Sequence, residues 1–334
     1  MPNDLAGKPR KINLALQGGG SHGAFTWGVL DRLLEEESII IDGISGASAG
    51  AKNAVVVADG LLDGGVAGAR KALHDFWKAV SDMPSIGALE FPSLMQFVGA
   101  QFDIMSRLFS PYQTNPLNIN PLRDMLNAQI DFPRLRQHSP VKLFICATNV
   151  KSGRVKVFDN AEISCDVLLA SSCLPFLFQA AQVSGEYYWD GGYMGNPPLF
   201  PLFEQTDTRD IMIVQINPIE RDTVPDTSQE IIDRLNEISF NTPMMLELRG
   251  IDFVNRMLAS RQLVDAARYR QINIHAIDAE NRMRQFGASS KSNSDWEFLK
   301  QLHQIGRHAA DKWLSENLDA IGERSSVDIG KKYL

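Results

Sequence analysis

The sequence of 334 residues has few cysteines and no long apolar run. Its three cysteines, Cys146, Cys165 and Cys173, form no closely spaced pair that could bind a metal, and their odd number argues against a disulfide framework. This usage is typical of a reducing compartment. No window reaches 18 uninterrupted apolar residues, and the richest stretch, 167–183, is interrupted by two serines and a proline. The stretch therefore predicts a protein core and not a membrane span.

The sequence also lacks an excess of basic residues. It has 33 Lys and Arg against 40 Asp and Glu, a formal net charge of −7, and no concentrated basic stripe, so nucleic acid is not an expected partner. The first ten residues are polar and contain two prolines, unlike the apolar core of a secretory signal. We therefore expect a soluble, cytoplasmic protein, whose surface contact with a membrane the sequence leaves open.

Two strand–turn–helix units begin the chain. A β-type run at 11–16 leads into a glycine loop and a segment of helical periodicity, and a second run at 39–44 leads into another glycine-rich turn and a buried helix at 51–62. Two such units in succession favour an α/β layered fold with a parallel sheet. Further strands are predicted at 141–150, 155–158, 211–216 and 272–277.

Ser48 is the strongest candidate nucleophile. It lies at the centre of Gly46-Ala47-Ser48-Ala49-Gly50, a G-x-S-x-G pattern between a predicted strand and a predicted helix. A serine on such a turn projects its hydroxyl from the backbone, the two glycines relieve crowding, and the helix N-terminus favours developing negative charge. The alternative interpretation is an ordinary turn.

A glycine triplet, Gly18, Gly19 and Gly20, ends the first predicted strand. Backbone N–H groups without neighbouring side chains could stabilise the oxyanion that forms during acyl transfer to a serine. Gly18, Gly20 and Gly23 also fit G-x-G-x-x-G, the dinucleotide fingerprint. That interpretation requires an acidic residue at the end of the second strand, where this chain has the turn at Gly46, and is disfavoured.

A serine nucleophile needs a general base, and Asp190 has the most unusual setting. It follows an aromatic run and precedes Gly191 and Gly192, which predicts either a tight turn or a carboxylate made more basic by an apolar pocket. A Ser48–Asp190–His275 triad also has the chain order of an α/β-hydrolase, so a histidine-dependent esterase stays open.

The glycine loop from Gly18 to Gly23, the G-x-S-x-G around Ser48 and the Asp190-Gly191-Gly192 turn, in this order, resemble the patatin-like phospholipase family. The resemblance implies a Ser48–Asp190 dyad without a catalytic histidine, and no metal or organic cofactor. It also implies a three-layer α/β/α fold with a mainly parallel central sheet and helical additions. The implied site comprises the dyad, oxyanion glycines Gly18, Gly19 and Gly20, and supporting glycines Gly23, Gly46, Gly50, Gly191 and Gly192.

Two residues depart from the family pattern. His22 stands where the family often has arginine or lysine, and Gln17 stands where it often has aspartate or serine. Neither change affects the backbone N–H groups, but the first puts a fixed positive charge near a lipid phosphate in doubt. The segments 171–175 and 196–198 also look family-like.

The implied activity is hydrolysis of lipid acyl esters of the phospholipase A or lysophospholipase type. Acyl transfer to an acceptor other than water shares every motif and stays open, as does a catalytically silent lipid-binding module. The substrate is expected to be a lipid acyl ester, and the sequence does not predict the oligomeric state.

The expected organisation is a tail at 1–10, a patatin-like catalytic domain at 11–220, and a mainly helical region at 221–334 with one further strand, packed on the core. Within the catalytic domain, 83–133 is punctuated by prolines and rich in phenylalanine and methionine, including Phe97 and Phe102. This segment is predicted to be either an insertion with a small core of its own or a lid or cap facing acyl chains.

Overall fold

A mixed sheet forms the middle layer of the protein in a computed structural model that describes residues 9–83, 110–262 and 269–334. Its strands are β1 (Arg10–Leu16), β2 (Ile39–Gly46), β3 (Lys142–Asn149), β4 (Val155–Phe158), β5 (Ala181–Val183), β6 (Glu186–Asp190), β7 (Asp210–Val214) and β8 (Asn273–Ile277). The order is β5-β6-β3-β2-β1-β7-β8, and β4 also pairs with β3. Five strands, β3, β2, β1, β7 and β8, run parallel to one another, and β4, β5 and β6 pair antiparallel.

Helices surround this sheet. They are α1 (Gly23–Leu33), α2 (Ala49–Asp82), α3 (Pro111–Thr114), α4 (Pro121–Gln129), α5 (Phe132–His138), α6 (Cys165–Ser171), α7 (Phe200–Gln205), α8 (Ser228–Ala259), α9 (Glu280–Met283), α10 (Trp296–Asn317) and α11 (Ile329–Tyr333). Helix α2 is longer than the sequence predicts and is interrupted by non-helical backbone at Gly64 and Gly65. None of the described helices combines the length and the apolar character needed to cross a membrane.

Alternate residues of the strands face two separate apolar cores. In β7, Met212 and Val214 belong to one core, whereas Ile211 and Ile213 belong to the other. A strand buried on both faces is typical of a parallel sheet with helices on each side. The predicted three-layer α/β/α architecture is therefore confirmed.

The C-terminal region shares the core of the N-terminal part. Strand β8 extends the sheet beside β7, and α10 packs directly on α1. Gly28 and Gly306 allow this approach, because a Cβ at either position would overlap the backbone of the opposite helix. Asp31 pairs with Arg70 at 2.6 Å and also with Arg307 of α10, and these hydrogen bonds lower the pKa of the carboxyl despite its partial burial.

The predicted insertion at 83–133 is described only in part. Leu126 of α4 and Leu135 of the following helix α5 are buried in the core that contains Met212 and Val214. Phe97 and Phe102 lie outside the described residues, so the lid or cap stays a prediction. The division of the chain into a catalytic domain and a C-terminal region likewise stays a prediction.

Candidate active site

The pairing of β3 brings Ser48 and Asp190 to the same place. Ile145 of β3 pairs with Gly46 on one edge and with β4 on the other, and Ala147 pairs with Asp190 and with β4. Because β4 lies on the same edge of β3 at both of these residues, β2 and β6 follow each other along the opposite edge. The end of β6 at Asp190 therefore lies beside the turn that leads from Gly46 to Ser48.

Ser48 lies on a strained turn. Its backbone has φ 52° and ψ −118°, a positive φ that a non-glycine residue rarely adopts. Its N–H donates to the carbonyl of Ser171 at 3.2 Å and to the hydroxyl of Ser171 at 3.0 Å. Helix α2 begins at the next residue, and the Ser48 side chain makes no capping bond to it. The hydroxyl is therefore left for another partner.

Asp190 lies close enough to this hydroxyl for the hydroxyl to lower the pKa of its carboxyl, and Asp190 is almost completely buried. Oδ1 accepts a hydrogen bond from the N–H of Gly192 at 2.7 Å, and the Asp190 N–H donates to the carbonyl of Cys173 at 2.8 Å. Burial raises the pKa of the carboxyl to about 6, although hydrogen bonds from Gly192 and the Ser48 hydroxyl oppose the rise. A carboxylate with this pKa is ionised at neutral pH and is a stronger base than an exposed aspartate.

The glycine loop lies against the turn of Ser48. A Cβ built on Gly18 would lie 2.8 Å from the Cβ of Ser48, so only glycine fits there. The Gly18 N–H donates to Oδ1 of Asn196 at 2.6 Å. The Gly18 N–H is therefore already engaged, and the oxyanion role expected of all three glycines stays a prediction. The N–H groups of Gly19 and Gly20 make no hydrogen bond to any residue that the structure describes.

A group of buried amides holds this loop. Oε1 of Gln17 accepts from the N–H groups of Ile216 at 2.8 Å and Asn217 at 2.9 Å, and its Nε2 donates to Asn241 at 3.0 Å. The Asn217 side chain in turn donates to the carbonyl of Gly18 at 3.0 Å. Gln17 thus fixes the entry to the loop with neutral groups, which gives its departure from the family pattern a structural role.

The other motif glycines allow close backbone packing around the two candidates. A Cβ at any of them would overlap a neighbouring residue: Ala49 for Gly23, Gly50 for Gly46, Leu16 for Gly50, Cys146 for Gly191 and Phe240 for Gly192. The glycine motifs therefore bring β1, β2 and β6 together as well as shaping their own turns.

The histidines do not join this arrangement. His275 is fully buried between Asp210, 3.0 Å from its Nε2, and Ser326, 3.1 Å from its Nδ1. The Ser48–Asp190–His275 triad is therefore contradicted by the geometry. All six histidines lie in the described part of the chain, and none of them hydrogen-bonds to Ser48 or Asp190 there. His22 contacts Ser290 at 2.7 Å, and burial lowers its pKa to about 3, so it is neutral at physiological pH.

Two lysines near Asp190 were missed by the sequence analysis. Lys52 lies one helical turn after Ser48, and burial lowers its pKa to about 8 while the charge of Asp190 opposes the shift. Lys291 comes from the C-terminal region, and its charge also acts on Asp190. The four-residue spacing from Ser48 could have indicated Lys52, whereas no local pattern indicates Lys291.

The strain at Ser48 predicts an unusual order of stabilities. We expect Ser48→Gly to be more stable than Ser48→Ala by roughly 1 kcal/mol, because both lose the hydroxyl but only glycine adopts the positive φ without strain. Urea unfolding measures the difference. Ser172, at φ −122°, is the matched control, where alanine should be at least as stable as glycine. An alanine variant equal to or better than glycine at position 48 would contradict the strain.

Comparison with known proteins agrees with these motifs. A family model described as patatin-like phospholipase matches residues 14–203, more than half of the chain. No curated protein matches the sequence. Among solved structures, VipD from Legionella pneumophila is similar, with 16% identity and a TM-score of 0.38 over 88% of this chain and 67% of VipD. On the extent of the family match, the chain belongs to the patatin-like phospholipase family.

Proposed function

We propose that the protein is a serine hydrolase of lipid acyl esters, of the phospholipase A or lysophospholipase type, with Ser48 as nucleophile and Asp190 as general base. The observation that carries the proposal is the strained turn of Ser48 beside a buried carboxylate whose pKa is raised to about 6. Family membership supports the acyl hydrolase class.

The reaction begins when Asp190 accepts the proton of the Ser48 hydroxyl and the oxygen attacks the ester carbonyl. The N–H groups of Gly19 and Gly20, with that of Ala49 at the start of α2, stabilise the tetrahedral oxyanion. The intermediate collapses to an acyl-enzyme, and the protonated Asp190 gives its proton to the departing alcohol. Water then attacks the acyl-enzyme while Asp190 accepts its proton, and Asp190 returns that proton to the Ser48 oxygen as the fatty acid leaves.

A single carboxylate is an adequate base here because burial raises its pKa towards that of a histidine. An exposed aspartate, with a pKa near 4, is a weak base, whereas a carboxyl with a pKa of about 6 has a value close to that of histidine. Among the described residues no histidine hydrogen-bonds to Ser48 or Asp190, which favours this dyad over a histidine-dependent esterase. Acyl transfer to an acceptor other than water uses the same steps up to the acyl-enzyme, and product analysis separates the two.

The dyad is tested by labelling and turnover of the same variants. We expect a fluorophosphonate to label Ser48 and Ser48→Ala to lose turnover of short p-nitrophenyl esters by up to about 10⁶-fold. Asp190→Asn should be nearly as inactive, whereas His22→Ala and His275→Ala keep substantial turnover per folded molecule. Circular dichroism establishes the folded fraction. Full activity of a folded Ser48→Ala protein would refute the hydrolase, and silence of the wild type would favour a lipid-binding module.

The raised pKa of Asp190 predicts opposite pH effects on activity and stability. Because the base must be ionised, kcat/KM should fall as the pH drops below about 6. The folded state binds this proton more tightly than the unfolded state, so its contribution to stability is full below pH 4 and is lost as the pH rises through 6. Asp190→Asn, which keeps an acceptor for Gly192, should therefore gain stability over the wild type at pH 8 and not at pH 4. Urea unfolding at both values measures this, and a less stable variant at pH 8 would contradict it.

We also propose that the protein contacts lipid aggregates at its surface near the site, and that it is cytoplasmic. Phe176 and Leu177 are 65% and 40% exposed. They closely follow Cys173, whose carbonyl accepts a hydrogen bond from the backbone N–H of Asp190. Met194, 41% exposed, lies four residues after Asp190. Exposed apolar side chains beside a site for an apolar substrate support contact with a membrane or micelle.

Removing this apolar surface should affect only aggregated substrates. We expect the double variant Phe176→Ser, Leu177→Ser to lose about tenfold in activity on long-chain phospholipid vesicles, with little change on short soluble esters. Val66→Ser is the control, because Val66 is 47% exposed and is separated from Ser48 by the first section of α2, about 20 Å of helix. Equal losses on both substrates would mean that the two residues support the site structurally.

A further inference from the structure

Lys291 lies against the glycine loop although it is distant in sequence. It belongs to a short helical turn, Ala288–Ser292, that packs on the turn Gly20–His22. The Cβ of Lys291 would lie only 3.3 Å from a Cβ at Gly20, so the two backbones are in direct contact. The region outside the family match at 14–203 therefore forms one wall of the candidate active site.

The ammonium of Lys291 lies near both the glycine loop and the turn that follows Asp190. Nζ donates to Oδ1 of Asn217 at 2.8 Å, and Asn217 holds the carbonyl of Gly18. Nζ also lies 5.9 Å from the centre of the Phe240 ring, which packs against Gly192 in the turn after Asp190. The charge thus lies between the loop that offers N–H groups and the turn that holds the base.

This charge lacks a close counter-ion. No carboxylate of the described residues lies within 4 Å of Nζ, and Asn217 uses one of its three N–H donors. Glu237, Asp233 and Asp190 attract the ammonium from further away, and Glu237 is itself paired with Arg221 and with Arg234. Burial lowers the pKa of Lys291, as expected for a cation that is desolvated and incompletely compensated.

A purely structural role does not account for an ammonium here. Asn217 is already oriented by its bonds to Gly18 at 3.0 Å and to Gln17 at 3.3 Å, and a neutral donor could complete its hydrogen bonding without the cost of burying a charge. A desolvated charge in a cleft beside an active site is a candidate functional group.

We propose that Lys291 is a specificity-determining residue whose ammonium binds an anionic phosphate of the substrate while the acyl ester lies at Ser48. This inference rests on the proposed function. In a glycerophospholipid the phosphate is only a few bonds from the acyl ester, so a cation beside the glycine loop is placed to meet it. His22 is neutral and cannot provide this charge, and Lys291 provides it from the C-terminal region.

The test compares two substrates that share an acyl chain and a glycerol ester. Lysophosphatidylglycerol carries a phosphate, and monoacylglycerol does not. We expect Lys291→Met to reduce the ratio of their kcat/KM values by about 10- to 100-fold, the usual effect of a charge-assisted hydrogen bond. Lys291→Arg should keep most of the ratio. Lys312→Met, which removes an exposed lysine of α10, is the control and should leave it unchanged.

Several results would overturn the proposal. Equal losses on both substrates in Lys291→Met would assign Lys291 to the reaction or to the loop structure. A ratio that collapses in Lys52→Met but survives in Lys291→Met would assign the phosphate to Lys52. Inhibition of monoacylglycerol hydrolysis by glycerol 3-phosphate, weakened by Lys291→Met, would instead support the proposal and show that a free phosphate ester is bound as well as a lipid headgroup.

A binding measurement separates this inference from the proposed function. In the Ser48→Ala background no turnover is needed, and Lys291→Met should weaken binding of lysophosphatidylglycerol about tenfold or more while binding of monoacylglycerol is kept. The hydrolase fails if the wild type hydrolyses neither substrate and Ser48 is not labelled. The role of Lys291 fails if the binding difference is absent.

Discussion

Strand β3 pairs along one edge with two strands placed end to end, and the candidate active site depends on this arrangement. Its first half pairs in parallel with β2 as far as Gly46, and its second half pairs antiparallel with β6 from Asp190. The chain must leave β2 sharply at the point where β3 changes its pairing from Gly46 of β2 to Asp190 of β6, which forces the turn at Ser48. A hydroxyl and a carboxylate from distant parts of the sequence therefore meet at the junction of the two strands.

The junction combines two features that are unfavourable for folding. Ser48 adopts a positive φ, and Asp190 loses its hydration. Both are held by hydrogen bonds to the end of α6 and the residues just after it, since Ser171, the last residue of α6, accepts from the N–H of Ser48 and the Cys173 carbonyl accepts from the N–H of Asp190. The glycine loop is held by neutral amides, which leave the charge at the site to Asp190 and its two lysines. A carboxylate supported by neutral dipoles and only partly compensated by cations keeps the raised pKa that a general base requires.

The sequence predicts the parts of this site that are local in the chain. The setting of Ser48 between a strand and a helix, and of Asp190 before two glycines, needs only neighbouring residues, and the α/β/α layering follows from successive strand–helix units. Contacts across the chain could not be predicted in the same way. Oδ1 of Asn196 accepts a hydrogen bond from the N–H of Gly18 although the two residues are 178 positions apart. The chain order of Ser48, Asp190 and His275 suggested a triad, but parallel pairing of β7 with β8 places His275 beside Asp210 instead.

The cation near the glycine loop is on Lys291 and not at position 22, and this placement links the C-terminal region to the candidate site. His22 is packed against Phe286 and Phe298 and bonded to Ser290, so this position has become part of the contact that anchors the C-terminal region. The same contact brings Lys291 to the glycine loop. A charge at position 22 would be buried in an apolar contact and would repel Lys291, so the two features are compatible only when His22 is neutral. Docking of the C-terminal region and placement of the cation are thus one structural event, and the residues proposed to recognise the substrate come from both parts of the chain.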